Sequence, residues 1–288
     1  MELRVLKYFL MVAREENITR ASEILHVTQP TLSRQLMQLE DELGVQLFIR
    51  GRHNIQLTEE GLLLRQRAQD MVSIEELIQR DFSKDTDYMR GTISLGCCES
   101  MGMQQLSKIM VEFSKLYPLV TYQIYSADSD KVKEKLENGT VDVGLLLEPV
   151  DITKYHFKRL DSQERWGVLM REDFFLSDKT SIKPEDLVDC SLLLPQRDIV
   201  KNELRNWFGK YYEDLNIKVS YNIGYNIAHL VQQGVGIAIC LESMSRMQNI
   251  KFVPLAGLEA TRSVLVWKNH QLFSKVPKTF IEYVEECL

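Results

Sequence analysis

The spacing of apolar residues changes character several times along the chain. Over residues 3–14, Leu6, Phe9, Leu10 and Ala13 recur at helical spacing and predict an amphipathic helix. The run NITRASEILHVTQPTLSRQLMQLEDELG then predicts two helices joined by a tight turn at His26 and Val27. Asn17 is placed to cap the first, with Ala21, Ile24 and Leu25 facing inward. Thr28 is placed to cap the second, and Pro30 suits its first turn, where no backbone N–H is needed. In that second helix Leu32, Leu36, Leu39 and Leu43 form a single buried stripe. After Gly44, VQLFIR and IQLT predict two short strands around the turn GRHN, a wing.

From Thr58 the pattern predicts one long helix, with Thr58 as its cap and Glu59 and Glu60 in its first turn. Leu64, Ala68, Met71, Ile74, Ile78 and Phe82 make a nearly continuous stripe along it. A helix that long buries its stripe against its own copy or against a later domain of the same chain. SKDTDYMRG, residues 83–91, reads as a hinge. Beyond it TISLGCC, LVTYQIYS and VDVGLLL predict strands separated by the helices MQQLSKIMVEFSKLYP and DKVKEKLENG, a βαβαβ run that calls for a parallel sheet flanked by helices. A second set follows, with strands RWGVLMR, SLLLP, KVSYNI and GIAIC and helices around KNELRNWFGKYY and IAHLVQQG. The strand SVLVWK and an amphipathic helix, KVPKTFIEYVEECL, complete the pattern. A chain of 288 residues is too long for one ordinary core, and two or three domains are expected.

Charge complicates any nucleic-acid reading. The net charge is −6, and residues 1–60 hold seven cations against nine anions. Placement must therefore carry the argument. At about 100° per residue, Arg34 falls opposite Leu32 and faces away from the core. Gln29, Thr31, Ser33, Gln35 and Gln38 flank it, and the acidic run Glu40, Asp41 and Glu42 lies at the far end of the helix. Such residues suit phosphate contacts and base-edge readout, Arg favouring guanine and Gln adenine. The same face also fits an ordinary solvated helix. Arg50 and Arg52, on the wing, would reach phosphates or the minor groove.

The ordered features Ala21, Leu25, TQPTLSRQL, LEDELG, LF-x-R and LT-x-x-G, ending at Gly61, strongly resemble the LysR-type transcriptional regulators. The resemblance implies an N-terminal all-α winged helix-turn-helix over 1–58 and a linker helix with hinge over 59–90. Residues 91–288 would form a two-subdomain α/β domain of the periplasmic-binding-protein fold. One subdomain would hold 91–161 and 263–288, the other 162–262. DNA contacts are expected from Thr28, Gln29, Pro30, Thr31, Ser33, Arg34, Gln38, Arg50, Arg52 and His53; His53 stands where the family commonly has a second wing arginine. The linker helix would pair two copies through Leu64, Ala68, Met71, Ile74, Ile78 and Phe82, giving a homodimer that assembles further into the family's usual homotetramer. Double-stranded promoter DNA is the implied partner, and RNA polymerase is a further one open to such a protein.

The C-terminal resemblance rests on element order and on ENGTVDVGLLL and LVQQGVGIAIC. It implies a cleft for a small-molecule effector and no other cofactor. Mapped by order, the strand ends and helix starts of that cleft are Glu99, Ser100, Glu148, Gln196, Arg197, Tyr225 and Asn226, with Arg197 the natural partner of an acidic ligand. Family members often carry a small hydroxyl residue where Glu99 stands; a carboxylate at that position argues against a simple anion and admits a ligand with an amine or a large polar part.

An enzyme finds little support. His26, His53, His156, His229 and His270 are scattered, and H-E-x-x-H, G-x-S-x-G, P-loop and G-x-G-x-x-G motifs do not occur. Trp166 and Trp207 suit a core, with a pocket wall as the alternative. A solute-binding or transport protein would fit the C-terminal pattern but leaves residues 1–60 unexplained. Cys97, Cys98, Cys190, Cys240 and Cys287 form no C-x-x-C pair or zinc spacing, so they read as reduced, mostly buried thiols, with a redox switch as the alternative. No metal site is expected. Glu2, Arg4 and Lys7 interrupt the apolar run that a secretory leader needs, and no stretch approaches the ~20 apolar residues of a bilayer span. The expectation is a cytoplasmic protein with no membrane partner.

Overall fold

The computed structural model describes residues 1–50, 55–81, 89–244, 248–269 and 271–288. It divides into two compact units, Met1–Lys84 and Asp85–Leu288.

The first unit holds α1 (Leu3–Glu15), α2 (Ile18–Ile24), α3 (Gln29–Leu43), the antiparallel pair β1 (Phe48–Arg50) and β2 (Ile55–Leu57), and α4 (Glu59–Asp81). Its core joins Leu6, Phe9 and Val12 of α1, Ala21, the leucines Leu32, Leu36 and Leu39, then Leu47, Phe48 and Ala68. The inner face of α1 is turned slightly from the expected one: Val5 and Val12 are buried, whereas Leu10 and Ala13 are only half-buried. Two further inward positions are corrected. Ile24 ends α2 and is exposed, and Leu43, in the last turn of α3, is 40% exposed. Both lie at helix ends, where the stripe runs past the element it packs on.

The ends of these helices follow local chemistry. The Asn17 side chain accepts from the Arg20 N–H at 3.0 Å and caps α2. Thr28 occupies the cap position of α3, yet its hydroxyl meets that of Thr31 at 2.8 Å and caps no backbone N–H. Gly44 closes α3 at φ +70°, a left-handed conformation that glycine adopts without strain. Glu40 accepts from the N–H groups of Leu47 and Phe48 at 2.7 and 3.3 Å, tying the end of α3 to β1. The Thr58 hydroxyl donates to the Gln46 carbonyl at 2.7 Å and accepts from the Gly61 N–H at 2.9 Å. That clasp leaves no room at the next position. A Cβ on Gly61 would lie 2.2 Å from the Leu47 carbonyl oxygen.

The second unit is built on two mixed five-stranded sheets. The first comprises β3 (Arg90–Cys97), β4 (Leu119–Ser126), β5 (Val143–Leu147), β6 (Tyr155–Glu164) and β12 (Thr261–Lys268), in the order β4-β3-β5-β12-β6. Its β4, β3 and β5 are parallel, as the βαβαβ pattern requires, while β12 runs antiparallel to both of its neighbours, β5 and β6. Helices α5 (Gly102–Leu116) and α9 (Lys275–Cys287) bury Leu106, Phe113, Phe280 and Val284 on one face. On the other face α6 (Ser129–Glu137) buries Val132 and Leu136.

The second sheet comprises β7 (Trp166–Arg171), β8 (Ser191–Pro195), β9 (Asn216–Tyr221), β10 (Ile237–Leu241) and β11 (Ile250–Pro254), in the order β11-β7-β10-β8-β9. Helix α7 (Asp198–Phe208) covers one face through Val200, Leu204 and Phe208, and α8 (Tyr225–Gln232) the other through Ile227, Ala228 and Val231. Strands β6 and β11 are absent from the sequence reading. Both are edge strands, and β6, YHFKRLDSQE, buries only Tyr155, Leu160 and Glu164, so its side chains carry little period-two signal. Because β6 continues the first sheet, the chain changes sheet at Arg165 instead of 161/162, and it returns through residues 255–260.

Replacing Gly61 by Ala forces the backbone at Leu47, just ahead of β1, to move, and a clash of this kind costs roughly 1–3 kcal/mol. Urea denaturation of Gly61→Ala is expected to show a lower midpoint with an unchanged slope.

Candidate functional site

In the first unit, the residues around the start of α3 form an exposed polar surface. Thr28, Gln29, Pro30, Thr31, Arg34 and Gln38 are exposed, and Ser33 is half-buried. The Gln29 amide donates to the Ser33 hydroxyl at 3.0 Å, so the first two turns carry an ordered row of hydrogen-bonding groups. Electrostatics distinguishes one member. Arg14 and Arg20 share the Glu15 carboxylate at 2.8 and 3.0 Å, Arg4 reaches Glu2 at 3.4 Å, and Lys7 pairs with Glu75. Arg34 has no ion pair among the described residues. Four of the seven cations of residues 1–60 are thus held in ion pairs, while the guanidinium of Arg34 remains free on the outward face. Arg50 ends β1, with its side chain outside the described residues; Arg52 and His53 lie wholly outside them.

Along α4, the expected stripe divides. Ala68 is fully buried in the core of its own unit, a correction to its placement in a dimer seam, while Leu64 packs half-buried against the same core. Helix α1 packs along this part of α4, and the Lys7–Glu75 pair adds to that contact. Met71, Ile74 and Ile78 are 44%, 45% and 53% exposed. Phe82 lies outside the described residues.

In the second unit, the carboxyl ends of the parallel strands of both sheets face one cavity of about 70 Å³. This is the position where open α/β sheets collect ligands. Its walls are mainly apolar: Cys98 and Leu147 from the first sheet meet Trp166, Val200, Leu241 and Met244 from the second lobe. Trp166 serves both core and cavity, while Trp207 donates to the Ala256 carbonyl at 2.7 Å and lies outside the cavity. Of the seven cleft residues expected from element order, Glu99 and Arg197 line this cavity. Ser100 and Tyr225 line an adjoining, more open space with Glu99. Glu148 faces a separate polar pocket and pairs with Arg159 at 2.9 Å. Gln196 and Asn226 are exposed and line none of these three pockets. Order alone places a residue at a strand end but not the direction of its side chain.

Glu99 and Arg197 are both engaged across the cleft. The Glu99 carboxylate accepts from the N–H groups of Gly224 and Tyr225 at 2.8 and 3.2 Å, at the start of α8. Arg197 is not an open partner for an acidic ligand. It donates to Asp130 at 3.2 and 3.3 Å and to the Pro149 carbonyl at 3.3 Å, with its side chain only 9% exposed. Sequence reasoning missed Asp128, Asp130, Tyr221 and the apolar walls. The cap Asp128, three residues ahead of Lys131, was the one signal that could have been read locally. Tyr221 is buried and donates to the Ile239 carbonyl at 2.5 Å, and burial holds its phenol well above the usual range.

The thiols settle into distinct environments. Cys97 joins the core of the first sheet and Cys98 faces the cavity, on opposite sides of the strand end. Burial pushes both, and Cys240, up to about 12, so at neutral pH they are protonated and poor nucleophiles. Only Cys287 is exposed. Among the described residues no group of three or more His, Cys, Asp or Glu is arranged to hold a metal, and no helix is long and apolar enough to cross a membrane.

Comparison with known proteins adds the following. Residues 3–62 match the family profile described as bacterial regulatory helix-turn-helix protein, lysR family, and residues 86–288 match the LysR substrate binding domain. The chain is 28% identical over 291 residues to the HTH-type transcriptional regulator BsdA of Bacillus subtilis (strain 168), covering 98% of this chain and 99% of that protein. It is 27% identical over 304 residues to the Hca operon transcriptional activator HcaR of Escherichia coli (strain K12), covering 100% and 98%. Among solved structures, full-length CbnR complexed with its target DNA shares the fold at a TM-score of 0.74 and 22% identity, with both chains fully covered.

Titration of the native protein with a thiol reagent at pH 8 is expected to modify Cys287 alone on the minute scale, and all five cysteines after denaturation. Fast reaction of a second thiol in Cys287→Ser would contradict the burial described here.

Proposed function

The chain belongs to the LysR family of transcriptional regulators, and on that premise we propose that it is a homodimeric repressor or activator that reads a specific duplex through α3. In this reading the first turns of α3 enter the major groove, the wing with Arg50 follows the phosphate backbone, and a small molecule in the cleft of the second unit governs the outcome. Its role is regulatory, not catalytic. The observation that carries the DNA reading is the unpaired Arg34, held outward by the buried leucines on the opposite face of α3. A free guanidinium among hydrogen-bonding side chains can make a bidentate contact with guanine, whereas an arginine already paired must first break that pair.

Two recognition helices would meet successive turns of the same duplex, ~34 Å apart. Support for pairing comes from the distal half of α4. Met71, Ile74 and Ile78 lie on neighbouring turns and remain exposed after the unit's own core is complete. An apolar stripe of this kind favours burial against an identical helix. The cleft reading is supported by a cavity at converging strand ends with mainly apolar walls.

Fluorescence anisotropy with the gene's own upstream duplex and a scrambled duplex tests the DNA role. Wild type is expected to prefer the upstream duplex, and binding to both should weaken steeply with salt. Arg34→Ala is expected to lose about 1–3 kcal/mol on the specific duplex and little on the scrambled one. Arg50→Ala should weaken both equally and reduce the log–log salt slope by about 1. Equal losses for the two variants would refute this division of roles. By sedimentation, Met71→Glu combined with Ile74→Glu should shift the protein toward monomer; an unchanged assembly would place the dimer seam elsewhere.

A further inference from the structure

Four positions around the cleft are suited to an anion: the starts of α5, α6 and α8, and the guanidinium of Arg197. Each is already matched by a carboxylate of this chain. Glu164 accepts from the Met101 N–H ahead of α5 at 2.5 Å, and Asp128 from the Lys131 N–H of α6 at 3.0 Å. Asp130 faces Arg197, and Glu99 takes the N–H groups at the start of α8. Glu99 is unlike the other helix partners. It hangs from the end of β3, crosses to a helix of the other lobe, and lines both the apolar cavity and the space beside it.

We propose that Glu99 is the specificity-determining residue of the cleft, its carboxylate standing in for a ligand anion at the start of α8, so that the cleft takes a small, mainly apolar ligand lacking a carboxylate. This rests on the reading of the cleft as the effector site. A tethered carboxylate competes at an effective concentration that a dilute free one does not reach. A free carboxylate seated beside Glu99 would place two like charges together against apolar walls, where both cannot stay ionised. Arg197 offers no relief, because Asp130 and the Pro149 carbonyl already engage it. The space left by these pairs, about 70 Å³ bounded by residues such as Leu147, Trp166 and Leu241, fits a small apolar group.

Isothermal titration of the full-length protein with acetate, benzoate and benzamide tests the assignment, using wild type, Glu99→Ser and Glu99→Gln. Glu99→Ser frees the two N–H groups, and acetate and benzoate are expected to bind it roughly tenfold or more tightly than wild type, the gain of a charge at a helix N-terminus. Benzamide should distinguish the proteins far less. Glu99→Gln keeps the size of the side chain and loses its charge; it should gain part of the carboxylate response, and it carries the comparison if Glu99→Ser fails to fold. Benzoate binding to wild type as tightly as to either variant overturns the proposal, as does the absence of a carboxylate response in both variants. Failure of the effector reading looks different: cleft ligands would then bind without changing affinity for the upstream duplex, and the contrast between wild type and variants would stand.

Discussion

The second unit depends on where the chain crosses between its two sheets. One crossing falls at Arg165, between β6 and β7, and the return runs through 255–260 into β12. With these two passages in place, the parallel strands of both sheets point their carboxyl ends at each other. Helix starts follow strand ends, so positive helix ends accumulate on the same cleft. Arg165 itself is held by a bidentate pair with Glu242 at 2.9 and 2.8 Å, fastening the outgoing crossing to the end of β10.

An accumulation of positive ends in an apolar setting requires negative partners, from a ligand or from the chain. Here the chain supplies them at the starts of α5, α6 and α8, with Asp130 doing the same for Arg197. Two of these pairs join opposite lobes. Opening the cleft would break hydrogen bonds to charged groups, individually stronger than neutral ones. These pairs bind the two lobes to each other across the cleft, and the apolar contact of Cys98 and Leu147 with the second lobe works in the same direction.

In the first unit the governing economy is different. Carboxylates are abundant, but Glu15 holds two arginines, Glu40 binds backbone N–H groups of β1, and Glu75 pairs with Lys7. An acidic segment can thus present a cationic group outward, because ion pairing acts over a few ångströms and net charge does not report it. The same principle separates the halves of α4. The proximal half finishes a core, and the distal half leaves apolar residues exposed.

How much of this was legible beforehand follows the range of each interaction. Helices α1 to α4 and the outward position of Arg34 follow from periodicity over residues three or four apart, and the parallel strands from short apolar runs. The cap at Asn17 and the clasp of Thr58 on Gly61 were likewise written locally. Strands β6 and β11 were not, since an edge strand needs little apolar patterning. Nor could order reveal that Glu148 turns to another pocket, that Arg197 is taken by Asp130, or that Ala68 belongs to its own core. The sequence alone determined the helices and the inner strands, the polar face of α3 and the family to which the chain is similar. Only the tertiary structure decided which charges are free, because a carboxylate's partner can lie 125 residues away, as Glu99 and Gly224 do.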